Sequence, residues 1–167
     1  MSRSIRKSTE NDLPTLLLFA DAGRATMRLN GNMEQWTNGY PSQSDFEDDI
    51  RRGISYIVED DGKPIATFAF MPNPEPTYLE IYQGAWLNDE PYHVIHRLAS
   101  LPQQKGIFDL VMDFSKTRTG NIRIDTHRDN AIMRHLIEKH GFVYCGIVYM
   151  QNGDERVAYQ KIIGNEH

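Results

Sequence analysis

The chain has 167 residues, of which 40% are hydrophobic and 25% charged, with a formal net charge of -5 and a pI near 5.6. These values predict one globular domain, residues 1–167, large enough to bury a core. They exclude the broad positive surface that nucleic-acid binding needs. The single cysteine, Cys145, excludes an intrachain disulfide. Because the N-terminus lacks the apolar core of a signal peptide and Leu16–Ala20 is too short to cross a bilayer, we expect a cytoplasmic protein without membrane contact.

Apolar spacing in the first half predicts strands alternating with helices and hairpins. Thr9 or Asn11 caps the first helix, and the Asp61-Gly62 pair predicts a tight hairpin between two strands. In chain order, we expect a strand at Ser4–Lys7, the first helix, a loop over 31–43, an acidic helix over about 44–52, strands over 54–59 and 65–71, a proline-rich connection, and a strand over 77–87.

The second half continues the alternation. We expect a strand over 92–100, a helix from Ile107, a strand over 121–126, a helix over 131–140 that ends at Gly141, and two strands around Asn152-Gly153. Strands alternating with helices, with hairpins at both ends, predict a mixed sheet that is covered on both faces.

The stretch from His96 to Leu110 begins as a strand and ends as a helix, with the turn 102–106 between them. Such a turn aims unpaired backbone N–H groups and the positive end of the helix dipole at one point, which can bind phosphate. The alternative is a plain connection in which Pro102 stops the strand and Gly106 relaxes the turn. Open α/β sheets bind ligands at the carboxyl edge of their strands, so the position of this turn favours phosphate binding.

The same turn resembles the acetyl-CoA loop of the GCN5-related N-acetyltransferases, [Q/R]-x-x-G-x-[G/A]. Gln103, Gly106 and Phe108 occupy its defining positions, although Phe108 replaces a small residue and is expected to crowd the pyrophosphate. The stretch 121–142 resembles the family's next strand and helix, with Asn130 and the final Gly-Phe in the expected order. The resemblance extends over nearly the whole chain.

This resemblance implies a single-domain α/β fold, with a mixed, mostly antiparallel sheet of six to seven strands flanked by about four helices. It implies a transferase that moves an acetyl group directly from acetyl-CoA, its cosubstrate, to a primary amine of a small molecule or peptide. No nucleic-acid or membrane partner is expected, and the sequence leaves a homodimer open. The alternative function is a catalytically silent CoA-binding sensor or interaction module of the same fold.

The resemblance also assigns residues to the cosubstrate. Backbone groups of one strand pair with the pantetheine arm as an added strand does, and one of their N–H groups polarises the thioester carbonyl. The turn supplies N–H groups and a lysine charge to the pyrophosphate, and an asparagine bonds the polar arm or else only caps its own helix. These residues are Leu98, Ala99 and Ser100 for the arm, Gln103, Gln104, Lys105, Gly106, Ile107 and Phe108 for the pyrophosphate, and Asn130.

By the same resemblance, Asp125 is the predicted carboxylate for the amine, since some family members have a carboxylate at this position that acts as a base through water or binds the amine directly; Glu80 is the competing candidate. The alternative for Asp125 is a structural bond to the turn that follows it. We expect His96 and His127 to be hydrogen-bonded structural residues. The six histidines show no metal-ligand spacing, so no metal is predicted.

Trp36 and Tyr40 lie in the aromatic loop after the first helix. By resemblance they overhang the entrance for the acceptor and hold an apolar or cationic amine, whereas the alternative is that they close the core between the first two helices. Ile137 stands where many family members place the Tyr that protonates the departing thiolate. The nearest side chains in the sequence that could take the role of this Tyr are Tyr144, Cys145 and Tyr149.

Overall fold

The computed structural model describes residues 2–163 and contains a seven-stranded sheet. The strands are β1 (Arg3–Lys7), β2 (Ser55–Asp60), β3 (Lys63–Pro72), β4 (His93–Ser100), β5 (Asn121–Thr126), β6 (Val143–Tyr149) and β7 (Glu155–Ile162). The α-helices of the described residues are α1 (Leu13–Leu29), α2 (Gln43–Arg51), α3 (Ile107–Lys116) and α4 (Ala131–Lys139). The predicted fold class is confirmed.

The sheet order is β1-β2-β3-β4-β5-β7-β6, with β4 in the centre. Every neighbouring pair is antiparallel except β4 and β5. The predicted hairpin between β2 and β3 is confirmed, and both of its turn residues, Asp61 and Gly62, have positive φ. That geometry matches the twist of the flanking strands.

The two central strands pair over a short stretch and then separate. His93 and Val94 of β4 pair with Ile122 and Arg123 of β5, and no later residue of β4 pairs with β5. In the separated part, β4 carries a bulge opposite β3, where Arg97 has a φ of 50°. A bulge bends its strand and increases the local twist, so it helps to open the gap beside β5.

Each face of the sheet buries its own apolar residues. On one face, Phe68, Ile95 and Ile124 of the strands pack against α3 and α4. The other face is covered in two parts: α1 and α2 pack near Ile57, and the irregular segment 73–92 packs near Val94 and Ala158. None of the helices in residues 2–163 is long and apolar enough to cross a membrane.

The strand predicted over 77–87 is wrong. The chain forms a short 3-10 turn, Pro76–Tyr78, and then runs irregularly across the sheet face, with one isolated bridge from Tyr82 to Ile147. The rings of Tyr78 and Trp86 lie 5.1 Å apart and both pack on that face. Burial of these aromatic residues against the face thus outweighs the strand-like alternation of the segment.

Candidate active site

A cleft of about 650 Å³ opens where β4 separates from β5. Its walls are the end of α1, the turn between β4 and α3, and the start of α4. All the residues predicted to hold the cosubstrate line this one cleft: Leu98, Ala99, Ser100, Gln103, Gln104, Lys105, Gly106, Ile107, Phe108 and Asn130. The structure thus brings together the two sequence stretches from which they come.

The turn at the mouth of the cleft has the geometry of an anion site. Gly106 adopts a left-handed conformation, with a φ of 76°, and begins α3 without any side-chain cap. The first N–H groups of a helix have no intrahelical partner, and the helix dipole places positive potential there. Lys105 is exposed beside them. A phosphate fits this end of the cleft.

Arg3 supports the turn from the opposite end of the sequence. Its guanidinium donates to the backbone carbonyl of Lys105 and to Gln104 Oε1, and it also pairs with Asp60. Sequence reasoning missed this residue, because nothing in the pattern of β1 indicates which loop its side chains reach.

Phe108 does not crowd the turn, contrary to the expectation. Its side chain is 3% exposed, and its ring centroid lies 5.1 Å from that of His140 and 6.4 Å from that of Phe142. The ring is therefore packed in the core beside the end of α4 and does not extend freely into the cleft.

The edge of β4 beyond Val94 suits an added strand. On one side of β4, Ala99 and Ser100 pair with β3, and Leu98 lies at the bulge. On the other side, β5 pairs with none of these three residues. Their free backbone groups line the cleft. An extended molecule with alternating amide donors and acceptors can pair with such an edge.

Asn130 caps its own helix. Its Oδ1 accepts from the Met133 N–H at 3.1 Å, and its Nδ2 donates to Gln35 Oε1 at 3.1 Å. The capping role that the sequence left open is thus present, while a bond from Asn130 to the cosubstrate stays a prediction. Gln35, which the sequence analysis missed, ties the loop after α1 to the end of β5.

Asp125 lies on the sheet face opposite α3 and α4, just beyond the point where β5 leaves β4. Its Oδ2 accepts a hydrogen bond from the Tyr78 hydroxyl at 2.6 Å, so its partner is not the turn that follows it. Burial, together with the charge of Asp125, raises the pKa of Tyr78 well above its ordinary value. Tyr78 therefore stays a proton donor to the carboxylate.

His96 and Glu75 form a second polar pair beside Tyr78. His96 Nε2 lies 3.0 Å from Glu75 Oε1, and the imidazole centroid is 6.4 Å from the Tyr78 ring. Burial alone raises the pKa of Glu75, but hydrogen bonds from His96 and Thr77 outweigh it and lower that pKa to about 2. His127 is also hydrogen-bonded, since its Nδ1 accepts from the Asp129 N–H. Both histidines therefore have the structural bonds that were expected.

Glu80 is exposed on the irregular segment and accepts from the Tyr82 hydroxyl at 2.9 Å. It is not part of the polar group formed by Asp125, Tyr78, His96 and Glu75, which we call the Tyr78 cluster. Neither Asp125 nor Glu80 lines the cleft, and the catalytic role of either stays a prediction.

Trp36 is 7% exposed and packs against Phe19 and Ala99. The core-packing alternative therefore describes its position, although the ring packs between α1 and β4 rather than between the first two helices. Arg24 and Arg28 of α1 each donate to the Trp36 carbonyl and hold the loop in place.

Tyr40 is more open, at 38% exposed, and its hydroxyl accepts from Arg97 Nη1 at 2.8 Å. Burial raises the pKa of Tyr40, while the charge of Arg97 acts in the opposite direction. Arg97 also donates two hydrogen bonds to the buried Asp49. This ion pair, which the sequence did not reveal, fixes the bulge of β4 against α2.

Ile137 is fully buried in the core, so it offers no proton donor. Tyr144 and Tyr149 are about half exposed and pack against Tyr159 and Tyr82, respectively. Cys145 is buried, and this burial raises its pKa. None of these three lines the cleft. Among residues 2–163, no group of three or more His, Cys, Asp or Glu side chains could hold a metal ion.

The chain is similar to solved acetyltransferases over almost its entire length. An acetyltransferase of the GNAT family from Streptococcus agalactiae is 33% identical, with a TM-score of 0.86, over 96% of this chain and 95% of that one. The chain belongs to the GCN5-related N-acetyltransferase (GNAT) family. Its fold is the GNAT fold, and this membership supports acyl transfer as its chemistry.

Other solved structures share the fold. An acetyltransferase from Staphylococcus aureus is 26% identical, with a TM-score of 0.69, over 96% of this chain and 99% of that one. A structure of the NatC complex bound to Gag peptide and CoA has a TM-score of 0.65 at 15% identity, over 98% of this chain and 100% of that one. No protein-family profile and no curated protein sequence matches the chain.

Proposed function

We propose that this GNAT protein transfers an acetyl group from acetyl-CoA directly to a primary amine of a small molecule or peptide. One observation carries the proposal: a single cleft runs from the gap between β4 and β5 to the uncapped N-terminus of α3. A cosubstrate with an amide-containing arm at one end and a pyrophosphate at the other matches both ends of that cleft.

The chain offers a distinct contact for each part of acetyl-CoA. The N–H groups at Gly106 and the start of α3 bind the pyrophosphate, and Arg3 holds the turn that presents them. The free edge of β4 at Leu98–Ser100 pairs with the pantetheine arm. The structure of the NatC complex, which has the same fold, is bound to Gag peptide and CoA, and this supports CoA as the ligand of the proposal.

The Tyr78 cluster lies on the sheet face opposite α3 and α4, and none of its four residues lines the cleft. The amine nitrogen attacks the thioester carbon, the carbon–sulfur bond breaks, and the sulfur leaves as a thiolate. Asp125 takes the amine proton directly or through a water, and Tyr78 keeps its carboxylate oriented. The acidic net charge supports a neutral or cationic amine, and not a nucleic acid, as the partner.

A panel of amines with thiol detection tests this proposal. We expect thiol release from acetyl-CoA that depends on at least one amine and rises with its concentration. The same test distinguishes the enzyme from the silent sensor. The sensor is the alternative because Ile137, at the usual position of the Tyr, is buried and offers no proton donor. A silent module binds CoA, which raises the melting temperature of the protein, but it releases no thiol with any amine. That outcome would replace the proposed activity with CoA sensing.

A further inference from the structure

Asn32 has a buried oxygen without a partner. It lies in the loop after α1, is 1% exposed, and lines the cleft together with Leu98–Ser100. Its Nδ2 donates to Gln35 Oε1 at 2.8 Å, but its Oδ1 has no hydrogen-bond partner within the described part of the chain. Buried acceptors are almost always paired in folded proteins, so an unpaired one needs an explanation.

The orientation of the Asn32 amide follows from its neighbours. The Met133 N–H can only donate, so Asn130 turns Oδ1 toward Met133 and Nδ2 toward Gln35. The His127 N–H also points at the same atom of Gln35. That atom must therefore be the oxygen, Oε1.

Because Gln35 presents an oxygen to Asn32, the atom of Asn32 in contact with it must be the nitrogen. A flip of the Asn32 side chain would place two oxygens face to face. The unpaired atom of Asn32 is thus Oδ1 and not Nδ2. A group that forms a hydrogen bond with it must be a donor.

The cosubstrate offers few donors. Its phosphates, carbonyls and thioester only accept hydrogen bonds, whereas the pantetheine arm carries amide N–H groups and a hydroxyl. Asn32 lines the cleft beside the edge of β4 along which the arm lies, on the proposed function. The adenosine end also carries donors, but the phosphate site at Gly106 places that end toward the mouth of the cleft.

We infer that Asn32 Oδ1, a buried and unpaired acceptor of a residue that lines the same cleft as the free edge of β4, accepts a hydrogen bond from the pantetheine arm of CoA. The arm is then held by the β4 backbone and by Asn32. This inference rests on the proposed function, since it requires that CoA occupies the cleft.

Titration calorimetry of Asn32→Leu against CoA tests the inference, because leucine keeps the size and removes the acceptor. We expect affinity for CoA and for 4′-phosphopantetheine to fall about tenfold. Affinity for adenosine 3′,5′-bisphosphate, which lacks the arm, should stay unchanged. The melting temperature without ligand should change little, because the variant removes the unpaired buried oxygen together with the Asn32 Nδ2 bond to Gln35.

Asn152→Ala is the control, because Asn152 lies in the β6–β7 turn, accepts from the Asp154 N–H and does not line the cleft. It should leave CoA affinity unchanged. If Asn32→Leu does not fold, Asn32→Ala provides the same comparison. Equal loss for CoA and the bisphosphate, or no loss for either, overturns the inference. Failure of the unmodified protein to bind CoA overturns the proposed function instead.

Discussion

The Tyr78 hydroxyl donates to Asp125 Oδ2 at 2.6 Å and so joins the irregular segment 73–92 to the central strand β5. The two residues are 47 positions apart. Replacing Tyr78 by Phe keeps the buried ring and removes the donor to the carboxylate. We expect kcat to fall about tenfold, equivalent to about 1.4 kcal/mol, with KM for acetyl-CoA unchanged.

Tyr92→Phe is the control for that variant. Tyr92 is buried with Tyr78 on the same sheet face, but its hydroxyl accepts from the Glu75 N–H and is not bonded to Asp125. If both variants lower kcat equally, the effect comes from packing of the segment and not from Asp125.

Asp125→Asn keeps the size of the side chain and removes its charge. Turnover with the best amine should fall about 100-fold, the range expected for loss of a general base, while CoA affinity measured by calorimetry is retained. Glu80→Gln should leave turnover nearly unchanged, because Glu80 is exposed and bonded to Tyr82. The reverse ranking of the two variants would assign proton transfer to Glu80.

Gly106→Pro should abolish cosubstrate binding at the turn, since proline cannot adopt a φ of 76° and removes an N–H group. In the unmodified protein, acetyl-CoA at about 100 times its dissociation constant should add roughly 2.7 kcal/mol of stability, seen as a rise in melting temperature. Gly153→Pro, which alters another positive-φ glycine in the β6–β7 turn, should retain that rise. A normal rise in folded Gly106→Pro would argue against phosphate binding there.

Glu75 should make stability depend on pH. Because folding lowers its pKa from 4.5 to about 2, the charged carboxylate stabilises the fold above the unfolded value, and this stabilisation is lost as the pH falls toward about 2. Glu75→Gln should therefore melt at a lower temperature than the unmodified protein near neutral pH. This difference in melting temperature should disappear as the pH falls from 4.5 to about 2.

Asp109→Asn is the comparison, since Asp109 also pairs with a histidine, His140, but its side chain is 62% exposed. Solvent screens such a pair, so the variant should change the melting temperature much less. If the difference in melting temperature between Glu75→Gln and the unmodified protein does not change with pH, the glutamate acts by packing alone.

No single side chain should be an indispensable acid for the departing thiolate. A thiol has a pKa of about 8.5 by analogy with cysteine, so its thiolate is a tolerable leaving group. Tyr144→Phe, Tyr149→Phe and Cys145→Ala should each lower kcat by less than about tenfold. A much larger loss in one of them, with acetyl-CoA affinity intact, would identify that residue as the acid.

Local patterns sufficed to predict most of the fold. The Asp61-Gly62 hairpin, the apolar face of α3 and the strand-turn-helix junction at Gly106 are each encoded within about a dozen residues, where side-chain periodicity and backbone preference act directly. The residues that line the cleft were named through the resemblance to the GNAT acetyl-CoA loop, which two short stretches of the sequence carry.

Only the tertiary structure decided which residues meet across the chain. Arg3 reaches the Lys105 carbonyl, Tyr78 reaches Asp125, and Gln35 orients Asn32, in each case through packing that brings separate elements together. The segment 77–87 shows the limit most clearly: its alternation resembles a strand, yet burial of Tyr78 and Trp86 against the sheet face determines its path. Such burial depends on the surface to which a segment docks, and a local pattern carries no information about that surface.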